Sequence, residues 1–136
     1  MFEKANRVLI ALAIATSGAL FAGCGGEVNE THTGTLEAGD DIQPTDSSFQ
    51  DPYTFSTKEG YQIDIQMTST AVDSYLILSD PQGNKVGEND DAAEGSNDAR
   101  ISLVAPSSGT YTVLANTYQA GETGAYTLTI NCTKAE

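Results

Sequence analysis

The sequence contains no tryptophan, only two cysteines and a single histidine, and it has few cations. Six Lys and Arg stand against 19 Asp and Glu, so the net charge is −13 at pH 7. A field of this sign repels the phosphates of nucleic acids and attracts cations, and we expect no nucleic acid partner. The histidine, His32, has no Cys, His or fixed carboxylate to form a metal site with, so we expect it to be a solvated linker residue.

Common catalytic motifs are also missing from the chain. It contains neither Gly-x-Ser-x-Gly nor His-Glu-x-x-His, and its histidine lies outside the domain predicted below. It also has no glycine-rich phosphate loop. We therefore expect that the protein is not an enzyme. A hydrolase that uses two carboxylates stays open as an alternative, because so acidic a chain offers many such pairs.

The N-terminal segment has the pattern of an export signal. Charged residues within positions 1–7 precede a run of 15 uncharged, mostly apolar residues from Val8 to Ala22. As a helix this run would measure about 22 Å, which is shorter than the roughly 30 Å hydrocarbon core of a bilayer, so a cleaved signal is favoured over a membrane span.

The end of this run, Phe21–Ala22–Gly23–Cys24, resembles the lipobox of bacterial lipoproteins, although Phe replaces the usual Leu. The resemblance implies a lipoprotein signal peptide over residues 1–23 and a lipid carrying fatty acyl chains, such as palmitate, on Cys24. The alternative is an ordinary secretory signal, with Cys24 free or in a disulfide. Gly25, rather than Asp, follows the cysteine, which in lipoproteins of diderm bacteria implies the outer membrane. The expected location is therefore the bacterial cell envelope, with the outer membrane favoured if the host is diderm.

Residues 24–34 are mostly polar and show no apolar periodicity, so we expect a flexible tether there. Ten extended residues reach about 33–36 Å, which would hold a small domain clear of the lipid headgroups.

From Thr35 onward, apolar and polar residues alternate, and turn residues separate the segments. This pattern predicts one all-β domain over residues 35–133, an antiparallel β-sandwich of jelly-roll type, with a hairpin turn at residues 58–60. Cys132 has core parity, so we expect a buried thiol, whereas Tyr118 is expected at the surface. The other positions with core parity are Tyr53, Phe55, Tyr61, Ile63, Ile65, Met67, Ile101, Leu103, Tyr111, Val113, Ala115, Tyr126, Leu128 and Ile130.

Eight short motifs occur in an order that resembles the bacterial pre-peptidase C-terminal domain. They are Gly34–Thr35–Leu36 with Ala38–Gly39–Asp40, Asp51 with Tyr53–Thr54–Phe55, Gly60 before Tyr61–Gln62–Ile63, Asp73 to Leu78, Asp80–Pro81–Gln82–Gly83, Asn89–Asp90–Asp91, Ser108 to Val113, and Gly124 to Leu128. The resemblance implies a β-sandwich that serves as an accessory or binding module. Some family members bind calcium or insoluble polymers such as collagen or chitin.

An acidic loop at residues 87–98 is the candidate metal site. Calcium prefers six to eight hard oxygen ligands, and Asn89, Asp90 and Asp91 could supply them together with Asp73. The alternative is that these side chains cap turns and are hydrated.

These observations predict a lipid-anchored, non-catalytic binding or accessory module of the cell envelope, stabilised by calcium if the loop binds it. Its partner would be a membrane, through Cys24, and a protein or polymer that the sequence does not identify. The alternative is a purely structural spacer of an envelope assembly.

Overall fold

The computed structural model describes residues 26–44, 47–90 and 97–135, and the chain forms nine β-strands and no helix within these ranges. The strands are β1 (Val28–Leu36), β2 (Asp41–Ile42), β3 (Phe49–Thr57), β4 (Gln62–Thr68), β5 (Ser74–Ser79), β6 (Lys85–Asn89), β7 (Ala99–Val104), β8 (Gly109–Thr117) and β9 (Gly124–Thr133). In the described part of the chain, no helix is long and apolar enough to cross a membrane. The predicted signal peptide and Cys24 lie outside the described residues.

The strands form two antiparallel sheets, one with the order β1-β9-β4-β7 and the other with the order β2-β3-β8-β5-β6. In the first sheet the first strand pairs with the last. Apart from the two-residue β2 and the β5–β6 hairpin, every connection crosses from one sheet to the other, as in two Greek keys. This is the jelly-roll arrangement, so the predicted all-β antiparallel sandwich is confirmed.

The core lies between the two sheets and follows the predicted alternation. Ile63, Ile65 and Met67 on β4 are fully buried, and Tyr111 and Val113 on β8 face them from the other sheet. Cys132 is also buried, as predicted, and its thiol has no disulfide partner among the described residues. Apart from β2 and β6, each strand thus buries residues of one face, and this burial is the main favourable contribution to the stability of the domain.

The predicted tether over residues 24–34 is wrong from Val28 onward. Residues 28–34 belong to β1, which pairs with β9 from Val28 opposite Cys132 to Leu36 opposite Gly124. The sandwich therefore begins at Val28, not at Thr35. The sequence pattern missed this strand because its inward positions include His32 and Gly34, which do not produce an apolar alternation.

The predicted hairpin at residues 58–60 is also corrected. A turn is present, with the Tyr61 N–H donating to the Lys58 carbonyl at 3.1 Å, but it joins β3 of one sheet to β4 of the other. Tyr61 precedes β4 and is only half-buried, although its parity predicted a core position. By contrast, the turn at residues 80–83 joins the paired strands β5 and β6, with the Gly83 N–H donating to the Asp80 carbonyl at 2.9 Å.

A close approach between β1 and β9 explains one glycine. Gly34 lies opposite Tyr126, and a Cβ at position 34 would lie 2.4 Å from the Tyr126 hydroxyl oxygen. Only glycine leaves room for the tyrosine ring to pass under β1 toward the second sheet. This contact positions the polar group described next.

Candidate functional site

A cleft of about 540 Å³ lies on the outer face of the four-stranded sheet, where β1, β9 and β4 meet the segment that follows β4. Thr33 and Thr127 face outward because their neighbours Gly34 and Leu128 face the core. The described residues that line the cleft are Thr33, Gly34, Thr35, Thr68, Ser69, Thr70, Asp98, Ala125, Tyr126 and Thr127.

The strand register aligns three hydroxyl groups across the floor of this cleft. Thr127 is opposite Thr33 on one side and opposite Thr68 on the other. Because neighbouring strands lie about 4.8 Å apart, the three side chains form a row of hydrogen-bonding groups.

Ser69 organises the wall of the cleft. Its hydroxyl donates to the Ala125 carbonyl at 2.7 Å and accepts the N–H groups of Ala71 and Val72, both at 3.0 Å. Its own N–H donates to Asp98 Oδ1 at 3.3 Å. The described lining residues thus present hydroxyl groups, backbone groups and the carboxylate of Asp98, all of which can form hydrogen bonds to a ligand.

Behind the cleft, a buried polar group joins the two sheets. The Tyr126 hydroxyl donates to Asp51 Oδ2 at 2.6 Å and is also hydrogen-bonded to the Tyr53 hydroxyl. Burial raises the pKa of Asp51 from 3.8 to about 6, and the hydrogen bond from Tyr126 opposes this shift only in part. Burial also raises the pKa of Tyr53 to about 12 and that of Tyr126 well above its ordinary value, so both phenols stay neutral.

His32 lies at the edge of this buried group. Its ring centroid is 4.7 Å from that of Tyr53, and its Nε2 is 3.0 Å from Glu30 Oε2. The side chain is buried on β1, so the prediction of a solvated linker residue is wrong.

The position of Asp51 on β3 is a sequence signal for this buried group. Asp51 has the same strand parity as Tyr53 and Phe55, and all three face inward on β3. A carboxylate in phase with two aromatic residues predicts a buried acid, and a buried acid needs a hydrogen-bond donor such as Tyr126.

The predicted calcium ligands come from neighbouring strands of the five-stranded sheet. Asp73 precedes β5, and Asn89, at the end of β6, lies opposite Leu76 on β5, so Asp73 and Asp90 lie toward the same end of the sandwich. Asn89 Oδ1 accepts the Arg100 N–H at 3.2 Å, while the Asp73 N–H donates to Glu122 Oε1 at 3.1 Å.

Asp91 lies outside the described residues. Among those that are described, no three His, Cys, Asp or Glu side chains are grouped so as to hold a metal ion. Calcium binding therefore stays a prediction.

An aromatic pair occupies the outer face of the five-stranded sheet. Tyr118 is 49% exposed, as predicted, and its ring centroid lies 6.4 Å from that of Tyr75. The Tyr75 hydroxyl donates to Glu88 Oε2 at 2.6 Å, and Lys85 Nζ donates to Glu88 Oε1 at 2.9 Å. These two hydrogen bonds, the one from Tyr75 first, lower the pKa of Glu88.

The chain is thus a small β-sandwich with a polar cleft on one outer face, and comparison with known proteins identifies its family. A family model of the bacterial pre-peptidase C-terminal domain matches residues 50–117, which is half of the chain. The chain therefore belongs to the pre-peptidase C-terminal domain family. Among curated proteins, none matches the sequence significantly.

Solved structures share the fold at low sequence identity. The pre-peptidase C-terminal domain of a Bacillus anthracis collagenase is 22% identical, with a TM-score of 0.55 over 76% of this chain and 89% of that domain. PliG of Aeromonas hydrophila, a periplasmic inhibitor of g-type lysozyme, is 16% identical, with a TM-score of 0.54 over 83% of this chain and 91% of PliG. PliG of Salmonella Typhimurium is 15% identical, with a TM-score of 0.51 over 77% of this chain and 91% of that protein. These likenesses show that the fold is shared.

The buried carboxyl makes the stability of the protein depend on pH. Because the pKa of Asp51 is higher in the folded state, stability falls as pH rises through 3.8 and toward about 6, where the carboxyl must ionise while buried. Asp51→Asn keeps an acceptor for Tyr126 without the charge. We expect the free energy of unfolding of this variant to be close to that of wild type near pH 4 and about 2–3 kcal/mol higher than that of wild type at pH 7.

Urea denaturation at pH 4, 5, 6 and 7 measures this difference. Glu59→Gln, which removes an exposed carboxylate elsewhere, is the matched control and should show no such trend. A constant difference between Asp51→Asn and wild type at all four pH values would contradict the assignment.

Proposed function

We propose that the protein is a lipid-anchored, non-catalytic binding module of the bacterial cell envelope. Membership of the pre-peptidase C-terminal domain family carries this proposal, since the resemblance implies an accessory or binding role. The cleft supports it, because the lining presents hydroxyl groups and one carboxylate, Asp98. PliG, which has the same fold, is a periplasmic inhibitor of lysozyme, and that too is a binding role in the envelope.

The anchor in this proposal is the lipid on Cys24. The apolar run before Cys24, the lipobox-like residues 21–24 and the start of the folded domain at Val28 support it. In this proposal the lipid near the N-terminus of the folded domain attaches the protein to the membrane.

The ligand that the cleft supports best is an uncharged polar polymer. Thr33, Thr68 and Thr127 can each donate one hydrogen bond and accept others, which suits sugar hydroxyls or peptide groups. The row of hydroxyls runs across three strands, so it is open to a chain that passes over the sheet.

The anchor is tested by replacing its cysteine. We expect Cys24→Ser to abolish incorporation of labelled palmitate and to release the protein from the membrane fraction of a bacterial host. Cys132→Ala is the matched control, because this thiol is buried between the sheets, and it should label like wild type. Palmitate incorporation by the Cys24→Ser protein, or none by wild type, would refute the anchor.

The cleft is tested by co-sedimentation with insoluble peptidoglycan, chitin and collagen. Wild type should sediment with at least one of them, and Thr33→Val together with Thr127→Val should weaken that binding about tenfold or more, since each lost hydrogen bond contributes about 0.5–1.5 kcal/mol. Thr129→Val, on the same face but outside the cleft lining, is the control. If wild type sediments with none of them, the chain is better described as a structural spacer.

We also propose that calcium binds at the loops that carry Asp73, Asn89, Asp90 and Asp91. Support comes from the register, which places the start of β5 and the end of β6 at one end of the sandwich. Calcium at 100 times its dissociation constant should stabilise the protein by about 2.7 kcal/mol and raise Tm by several degrees over a sample in EGTA. Asp90→Asn should reduce this shift, whereas Glu59→Gln should not. Equal Tm values with calcium and with EGTA would refute the site.

A further inference from the structure

We propose that the end of the sandwich where β1 begins lies directly against the lipid headgroups of the membrane. This inference rests on the proposed lipid anchor at Cys24. It concerns a surface that we call the proximal end, which comprises residues 26–28, 57–62, 79–85, 104–109 and 133–135. The strand register places these segments together, since Gln62 lies opposite both Val104 and Thr133, and Thr57 lies opposite Gly109.

The spacer between the anchor and the fold is very short. Gly26 is already part of the folded structure, because its carbonyl accepts a hydrogen bond from Thr57 Oγ1 at 2.7 Å and it is buried. Two residue steps separate Gly26 from Cys24, which is at most about 7 Å of chain. An anchored domain therefore cannot stand clear of the headgroups, and one of its surfaces must contact them.

The charges favour the proximal end as that surface. Three of the four cations in residues 24–136 lie there, namely Lys58, Lys85 and Lys134. Lys85 is paired with Glu88 at 2.9 Å, and Lys58 and Lys134 stand with three further described carboxylates, Glu27, Glu59 and Asp80. Three cations against four described carboxylates leave this end only slightly acidic in a chain that is strongly acidic as a whole.

The other end of the sandwich, which we call the distal end, is strongly acidic. Its described carboxylates are Glu37, Asp40, Asp41, Asp73, Asp90, Asp98 and Glu122. A nine-residue strand such as β1 or β8 separates the two ends by about 30 Å. This distance is several Debye lengths at physiological ionic strength, so anionic headgroups at the proximal end would scarcely repel the distal carboxylates. In the opposite orientation, with the distal end against the membrane, the same carboxylates would lie next to the anionic headgroups and be repelled.

One apolar side chain at the proximal end adds a favourable contact. Val104 ends β7 and is 55% exposed, beside Gln62 on the neighbouring strand. Contact with the headgroup region would remove this side chain from water. The exposed side chains of Lys58 and Lys134 can reach lipid phosphates from the same end.

The orientation is tested with fluorescent probes on the full-length lipoprotein in vesicles that contain phosphatidylglycerol and a nitroxide-headgroup lipid. Val104→Cys places the probe at the proximal end, and Tyr118→Cys, at a comparably exposed distal residue, is the matched control. Cys132 stays unlabelled because it is buried and because burial raises the pKa of its thiol to about 11. We expect quenching to be about twofold or more stronger at position 104 than at position 118, given the roughly 30 Å between the ends.

The outcomes separate this inference from the anchor on which it rests. Palmitate incorporation with equal quenching at both positions, or with stronger quenching at position 118, would overturn the orientation and leave the anchor standing. No palmitate incorporation and no vesicle binding would overturn both. Palmitate incorporation with stronger quenching at position 104 would support both.

Discussion

The pairing of the first strand with the last is the constraint on which the rest of the molecule depends. β1 and β9 are in register over nine residues, from Val28 opposite Cys132 to Leu36 opposite Gly124. This pairing joins the N-terminal segment to the middle of the four-stranded sheet and places Thr33 beside Thr127 in the cleft. It also brings Gly34 over Tyr126, whose ring has no room under any other residue. The cleft and the buried polar group behind it therefore have one structural origin.

That buried polar group links the sheets at some cost in stability. Tyr126 belongs to the four-stranded sheet and Asp51 to the five-stranded one, so their hydrogen bond crosses the core. Apolar packing has no directional bonds across the core, whereas the Asp51 carboxyl keeps its hydrogen bond to Tyr126 only in one alignment of the sheets. The raised pKa of Asp51 measures what its burial costs the charged form. The hydrogen bond between Tyr126 and Asp51 therefore ties the alignment of the two sheets to the strand that forms the floor of the cleft.

Sequence periodicity predicted most of the fold but not the strand that completes it. β4, β8 and β9 alternate apolar and polar residues, and Ile63, Val113 and Leu128 are buried as expected. β1 has His32 and Gly34 at inward positions, and their burial depends on β9 and on Tyr53, which are distant in sequence. The turn at residues 58–60 was predicted as a hairpin but joins two different sheets. Turn residues indicate where the chain reverses, but they do not indicate whether the next strand joins the same sheet. The cleft depends on register across three strands, which no local pattern encodes.

The same register relates the cleft to the proposed anchor. Thr33 lies five residues beyond Val28 along β1, which places the row of hydroxyls about 17 Å from the proximal end. With the lipid on Cys24 and the proximal end against the headgroups, the cleft would lie in the distal half of the domain, accessible to a polymer in the aqueous layer. A flexible tether would have left the cleft free to face the membrane. The pairing of β1 with β9 would remove that freedom from an anchored domain, so the short spacer would give the proposed binding surface a direction as well as a location.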